Sequence, residues 1–133
     1  MRRVLVTGGN RGLGLEFVRQ LLARGDRVVA GCREPDAADQ LDALVGEYAD
    51  RLQVHAVDLA EADSVTALAE FATKHFDGLD LLVNNAGKLV PGERFGSVSA
   101  DALESSLAIN AIAPFLLAQA LAPLLKKGER AVV

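Results

Sequence analysis

Tryptophan is absent from this chain, and tyrosine, cysteine and methionine occur once each in 133 residues. The lone Cys32 excludes an internal disulfide and fits a reducing compartment, so a cytoplasmic location is expected. His55 and His75 have no partners at metal-ligand spacing and read as structural residues, with no metal site. No basic run stands out, and 18 acidic side chains outnumber 14 basic ones. Nucleic acid and membrane surfaces are therefore not expected partners. No apolar stretch reads as long and unbroken enough to cross a membrane. Met1-Arg2-Arg3 leads into a short strand rather than a leader peptide.

What remains is dominated by Ala, Leu and Val, with half the residues hydrophobic. That composition suits a parallel α/β sheet covered by helices, and the length suits one domain. Short apolar runs predict strands at 3–7, 27–31, 52–57, 80–84 and 130–133. Longer periodic patterns predict helices near 12–24, 36–48, 62–75 and 99–126. In the first helix Leu13, Phe17 and Leu21 mark one face at i, i+4, i+8, with Val18 and Leu22 beside them, and Gly25 reads as its stop. Ser99 reads as the N-cap of the last helix. Strict alternation of strand and helix implies right-handed crossovers and a five-stranded, doubly wound Rossmann-type sheet of order 3-2-1-4-5. Ligands bind such sheets beyond the carboxyl ends of the strands, where the strand order reverses.

Two segments fall at that switch point. Thr7-Gly8-Gly9-Asn10-Arg11-Gly12-Leu13-Gly14 joins the first strand to the first helix with the spacing T-G-x-x-x-G-x-G. Gly8 suits a positive-φ turn, Gly12 admits a pyrophosphate to the backbone, and Gly14 lets helix and strand approach. A glycine loop alone can be only a tight turn; here strand, helix and spacing all agree on nucleotide binding. It is not a P-loop, because G-x-x-x-x-G-K-[ST] is absent. Asn84-Asn85-Ala86-Gly87 follows the fourth strand, and amides at a buried strand end need partners. Pro114 lacks the N–H that would bond the carbonyl of Asn110, so the long helix should bend there.

At these residues the chain resembles the short-chain dehydrogenase/reductase family, in its shorter, non-extended branch. Asn10-Arg11-Gly12-Leu13-Gly14-Leu15-Glu16 looks like the carbonyl-reductase and C-factor-like subgroup. The resemblance implies cofactor binding by Gly8, Asn10, Arg11, Gly12, Leu13, Gly14, Asn85, Ala86 and Gly87. It makes Asp58 an adenine contact and Asn110 the asparagine of a catalytic tetrad, whose main chain holds a water in a proton relay. Members that bind NAD place an acid at the end of the second strand. Here Cys32 stands there, followed by Arg33, with Arg11 in the adjacent loop. Guanidinium groups pair with a 2′-phosphate, which favours NADP(H).

The family's catalytic serine and its Tyr-x-x-x-Lys pair lie beyond the fifth strand. Tyr48 is followed four residues on by Leu52, and Ser105 and Ser106 do not match the serine. Residues 1–133 are thus expected to form an NADP-binding domain incomplete at its C-terminal end. The expected activity of the complete protein is NADP(H)-dependent oxidoreduction of a small carbonyl or alcohol substrate, with the chain alone inactive. A non-catalytic nucleotide-binding or signalling module, and one half of a split enzyme, are the alternatives. Exposed strand faces would favour association, either as a homo-oligomer or with a complementing C-terminal half.

Overall fold

The computed structural model describes residues 1–133. Four parallel strands, β1 (Arg3–Thr7), β2 (Arg27–Cys32), β3 (Leu52–Ala56) and β4 (Leu81–Val83), lie in the order β3-β2-β1-β4. The central strand is apolar on both faces, so successive side chains feed two separate cores. Leu5, Val29 and Leu82 pack beneath α3 (Ala62–His75) and α5 (Ala113–Leu125), against Leu68, Leu117 and Leu121. Val4, Val6, Val28 and Ala30 pack beneath α1 (Gly12–Ala23) and α2 (Asp39–Glu47), against Val18, Leu22 and Leu41.

The expected fifth strand is reduced to one parallel bridge between Leu81 and Val132. Two backbone bonds make it: Val132 N–H to the Asp80 carbonyl at 3.1 Å, and Leu82 N–H to the Val132 carbonyl at 3.0 Å. The segment lies beside β4, as the order 3-2-1-4-5 requires, without propagating a ladder.

Three helices depart from their predicted form. In α1 the buried stripe is Leu15, Val18, Leu21 and Leu22, whereas Leu13 is 73% exposed and Phe17 43%. Gly14, buried against the loop below it, fixes the rotation of the helix and turns Leu13 outward. The second helix begins as a 3₁₀ turn, Pro35–Ala37, then breaks at the buried Ala38 before α2 starts. The last helix starts at α4 (Ala100–Leu107), where the Ser99 hydroxyl accepts the Ala102 N–H at 3.1 Å. It then widens into a π turn, Ala108–Ile112, and continues as α5. The widening stands just before Pro114, where the missing N–H demands an adjustment.

This composite helix also corrects the reading of apolar runs. Ala100–Leu125 is 26 residues long and contains an 18-residue stretch of mean hydropathy 1.7, enough by length and composition to cross a membrane. Its inner side, Ala113, Leu117, Leu121 and Leu124, packs into the α3 core. Its outer side leaves Leu103, Leu107, Ile112 and Phe115 exposed.

The end of the sheet where the strands begin is closed by charge. Asp80 is buried, and both its oxygens take bonds from the Arg3 guanidinium, at 2.9 Å each. The backbone N–H groups of Arg3 and Glu129 donate to the same carboxylate at 2.8 and 2.6 Å. Asp77 takes the remaining arm of Arg3 at 2.7 Å. On the other side of β1, buried Asp26 accepts the Arg2 N–H at 2.8 Å and pairs with Arg24. Hydrogen bonds from Arg3 hold the Asp80 carboxyl well below the usual carboxylate range, against the opposing pull of burial.

A lowered folded-state pKa stabilises the fold above the unfolded value of about 4 and is lost as pH falls below it. Asp80→Asn is therefore expected to cost about 3 kcal/mol at pH 7 by urea unfolding. It should also flatten the loss of stability between about pH 5 and pH 2. A variant as acid-sensitive as the parent would show that Asp80 does not set this limb.

Candidate functional site

Beyond the carboxyl ends of β1, β2 and β4 lies an open cleft of about 650 Å³. The loop after β1 forms its floor. Gly8 turns at φ +67° and Gly12 at φ +55°, both in the left-handed region. The N–H groups of Gly8 and Gly9 bond the Gly31 carbonyl at 2.8 and 3.2 Å, tying the loop to the end of β2. Gly14 sits so close below that an added Cβ would collide with the Gly8 carbonyl oxygen and come within 2.5 Å of Asn85 Nδ2.

The segment after β4 is locked to the same loop. Asn85 Nδ2 donates to the carbonyls of Thr7 and Gly8 at 3.1 and 3.2 Å. The Ala86 N–H donates to Thr7 Oγ1 at 3.1 Å. One of the two expected asparagines thus ties β4 to its neighbour, as strand-end amides must.

The helix above the loop opens unprotected. Arg11, its N-cap residue, is extended at φ −157° and makes no side-chain cap, and the first turn holds no acid. The first bond of the helix is Leu15 N–H to the Arg11 carbonyl at 3.2 Å. The amides of Gly12, Leu13 and Gly14 precede it, at the positive end of the helix dipole. Around Gly12 a Cβ would meet nothing within 4 Å, so an anion has free access to that backbone.

The structure brings Gly8, Asn10, Arg11, Gly12, Arg33, Asp58, Asn85, Ala86 and Gly87 to the wall of this one cleft. Leu13 and Gly14 do not line it: Leu13 faces outward and Gly14 is the buried seat of the helix. Asn110 does not line it either, although its neighbour Ile109 does. Its side chain instead clasps the backbone of Lys88, with Oδ1 accepting the N–H at 2.7 Å and Nδ2 donating to the carbonyl at 2.8 Å. Asp58 makes a local turn, its Oδ1 accepting the Ala60 N–H at 3.0 Å.

The sequence reading missed Lys88 and Leu89 as cleft residues, though they directly follow the Asn-Asn-Ala-Gly run. Cys32 lines the β2 end of the cleft while buried, and burial pushes its thiol pKa up. Arg11 and Arg33 are exposed and pair with no carboxylate. Tyr48 lies away from the cleft, at the end of α2 with Arg51 over its ring at 5.0 Å. The two histidines flank Phe71 in sequence and pack on it, with ring centroids 4.5 and 4.0 Å from its own.

The glycines separate two costs. Gly14→Ala forces helix and loop apart and is expected to cost about 3 kcal/mol in urea unfolding. Gly12→Ala adds only left-handed strain, about 1 kcal/mol, since its surroundings are empty. Equal losses at the two positions would contradict this packing.

Comparison with known proteins follows the same geometry. A family model described as short chain dehydrogenase matches residues 2–133. The chain is 42% identical over 90 residues to a (+)-neomenthol dehydrogenase of Arabidopsis thaliana, covering 65% of this chain and 30% of that protein. It is 33% identical over 128 residues to the short chain dehydrogenase gsfK of Penicillium aethiopicum, covering 95% and 51% respectively. Among solved structures, the NADPH-bound carbonyl reductase from chicken fatty liver superposes with a TM-score of 0.88 at 36% identity. That match covers 96% of this chain and 52% of the reductase. The chain therefore spans from under a third to about half the length of these relatives. With the glycine loop, the Asn-Asn-Ala-Gly clamp and the parallel sheet all in place, the chain belongs to the short-chain dehydrogenase family.

Proposed function

We propose that these residues hold NADP(H) in the cleft, and that the whole protein is an oxidoreductase acting on a small carbonyl or alcohol. The observation carrying this reading is the pairing of an uncapped helix N-terminus with two unpaired guanidinium groups along one cleft. The uncapped helix end at Gly12, which lines the cleft, suits a pyrophosphate, and the bare space there gives it room. Arg33, just beyond β2, and Arg11 in the next loop suit a 2′-phosphate, where no carboxylate replaces Cys32 to repel it. Asp58 and Leu59 border the same end and suit the adenine. Ala86, Gly87 and Ile109 border the opposite end and suit the nicotinamide riboside. Support also comes from four similar solved structures that contain NADPH or NADP.

The dinucleotide supplies or accepts the hydride. This chain's residues bind it, orient it and brace the loop on which it rests. Asn110, on the π turn, fixes the segment after Gly87 through Lys88 and so sets the rim of the reactive end. A carbonyl taking a hydride also needs a proton donor at its oxygen. Tyr48 is the one tyrosine in these residues, and it stands outside the cleft.

Fluorescence titration of residues 1–133 is expected to show NADPH bound roughly 5- to 150-fold more tightly than NADH, from a phosphate contact of about 1–3 kcal/mol. Arg33→Asp should reverse that order. Unchanged discrimination would reduce Arg33 to a surface residue and remove the basis for NADP.

With aldehydes, ketones and quinones, the same residues are expected to leave NADPH oxidation at the rate without protein. Turnover that disappears on Gly14 substitution would show that a proton donor other than a tyrosine serves the cleft.

A further inference from the structure

Lys88 holds the one ammonium group in the cleft wall, and it is fixed from both ends. Asn110 clasps its backbone through two hydrogen bonds. Its Nζ donates to Ser105 Oγ at 2.7 Å, joining the loop to α4. The backbone bonds fix where the lysine leaves the loop, and the exposed bond to Ser105 favours one direction for its ammonium.

No carboxylate stands within ion-pair distance of that ammonium. Asp101 and Glu104, on the same helix as Ser105, do not pair with it. The acids in the cleft, Glu34 and Asp58, follow β2 and β3 on the other side of β1. Strands two places apart are separated by about 10 Å, so β2-end and β4-end groups serve different parts of a bound molecule.

The cations of the cleft are therefore divided. Arg11 and Arg33 stand towards β2, where the proposed reading puts the adenosine phosphate. Lys88 stands beside Leu89 and Ile109, where that reading puts the reactive ring. We infer that Lys88 is a specificity-determining residue that selects a carbonyl substrate bearing an anionic group, in the manner of a 2-oxo acid. The inference rests on the NADP(H) reading for its orientation in the cleft. The hydroxyl of Ser105 is a neutral partner, so it positions the ammonium without cancelling its charge. A carboxylate then meets an unpaired cation at the exposed rim of the cleft, with the half-buried Ile109 available to the apolar part of the molecule.

Isothermal titration of the full chain tests this with two probes of similar shape, benzoylformate and its neutral methyl ester, with and without saturating NADPH. The carboxylate is expected to bind about tenfold more tightly than the ester. Lys88→Met should remove the preference, and Lys88→Arg should keep it. Ser105→Ala, which frees the ammonium but retains its charge, should lower the preference without abolishing it. Arg94→Met, in an exposed loop outside the cleft, should leave it intact. Equal binding of the probes, binding of neither, or a preference that survives Lys88→Met overturns the inference. So does its complete loss in Ser105→Ala. Failure of NADPH to bind defeats the cofactor reading separately, because the dinucleotide-free titration still reads the charge preference.

Discussion

The site depends on one place where two backbones almost touch. Gly14 rests on the Gly8 carbonyl with no space for a β-carbon between them. That contact fixes how α1 is rotated, so Leu15, Val18 and Leu22 enter the core. The same contact sets the uncapped end of α1 beside the cleft, where Gly12 lines the wall. Asn85 then bonds the Gly8 carbonyl from the β4 side, so three chain segments are held at a single point. Removing side-chain volume here is what allows a helix end, a turn and a strand end to form one wall.

The opposite end of the sheet follows another logic. There Asp26 and Asp80, entering β2 and β4, accept the backbone N–H groups of Arg2, just before β1, and Arg3, its first residue. Both carboxylates are also paired with arginines. Burying such groups is tolerable because every charge is met by a partner and by backbone donors. Helix dipoles point their positive ends at the cleft and their negative ends at this pole, where Lys74, His75, Lys126 and Lys127 gather at helix ends.

Much of this was legible in the sequence, for identifiable reasons. Buried parallel strands announce themselves as short apolar runs, and the glycine spacing marks the turn at the head of α1. Pro114 foretold the disturbance of the long helix, because a missing N–H has a fixed consequence four residues back. The face of α1 was misread because Leu13-Phe17-Leu21 and Leu15-Val18-Leu22 are both valid helical stripes; only the depth of Gly14 decides between them. The fifth strand was overread because an apolar run states a tendency to pair, while the extent of pairing depends on its neighbour. Arg3 and Asp80 lie 77 residues apart, and nothing local in either reveals the pair. Lys88 was passed over because its tether, Ser105, comes from a distant helix and has no motif of its own.

The separation of the two poles affects how this architecture can change over generations. Arg11, Arg33 and Lys88 sit on loops, exposed, and none belongs to either core. The residues that hold the sheet together lie at the far end or beneath the loops. If these side chains set ligand preference as proposed, it can drift by exchange of a few loop residues while the scaffold stays under unrelated selection. A descendant could change what it recognises without first acquiring stability to spare.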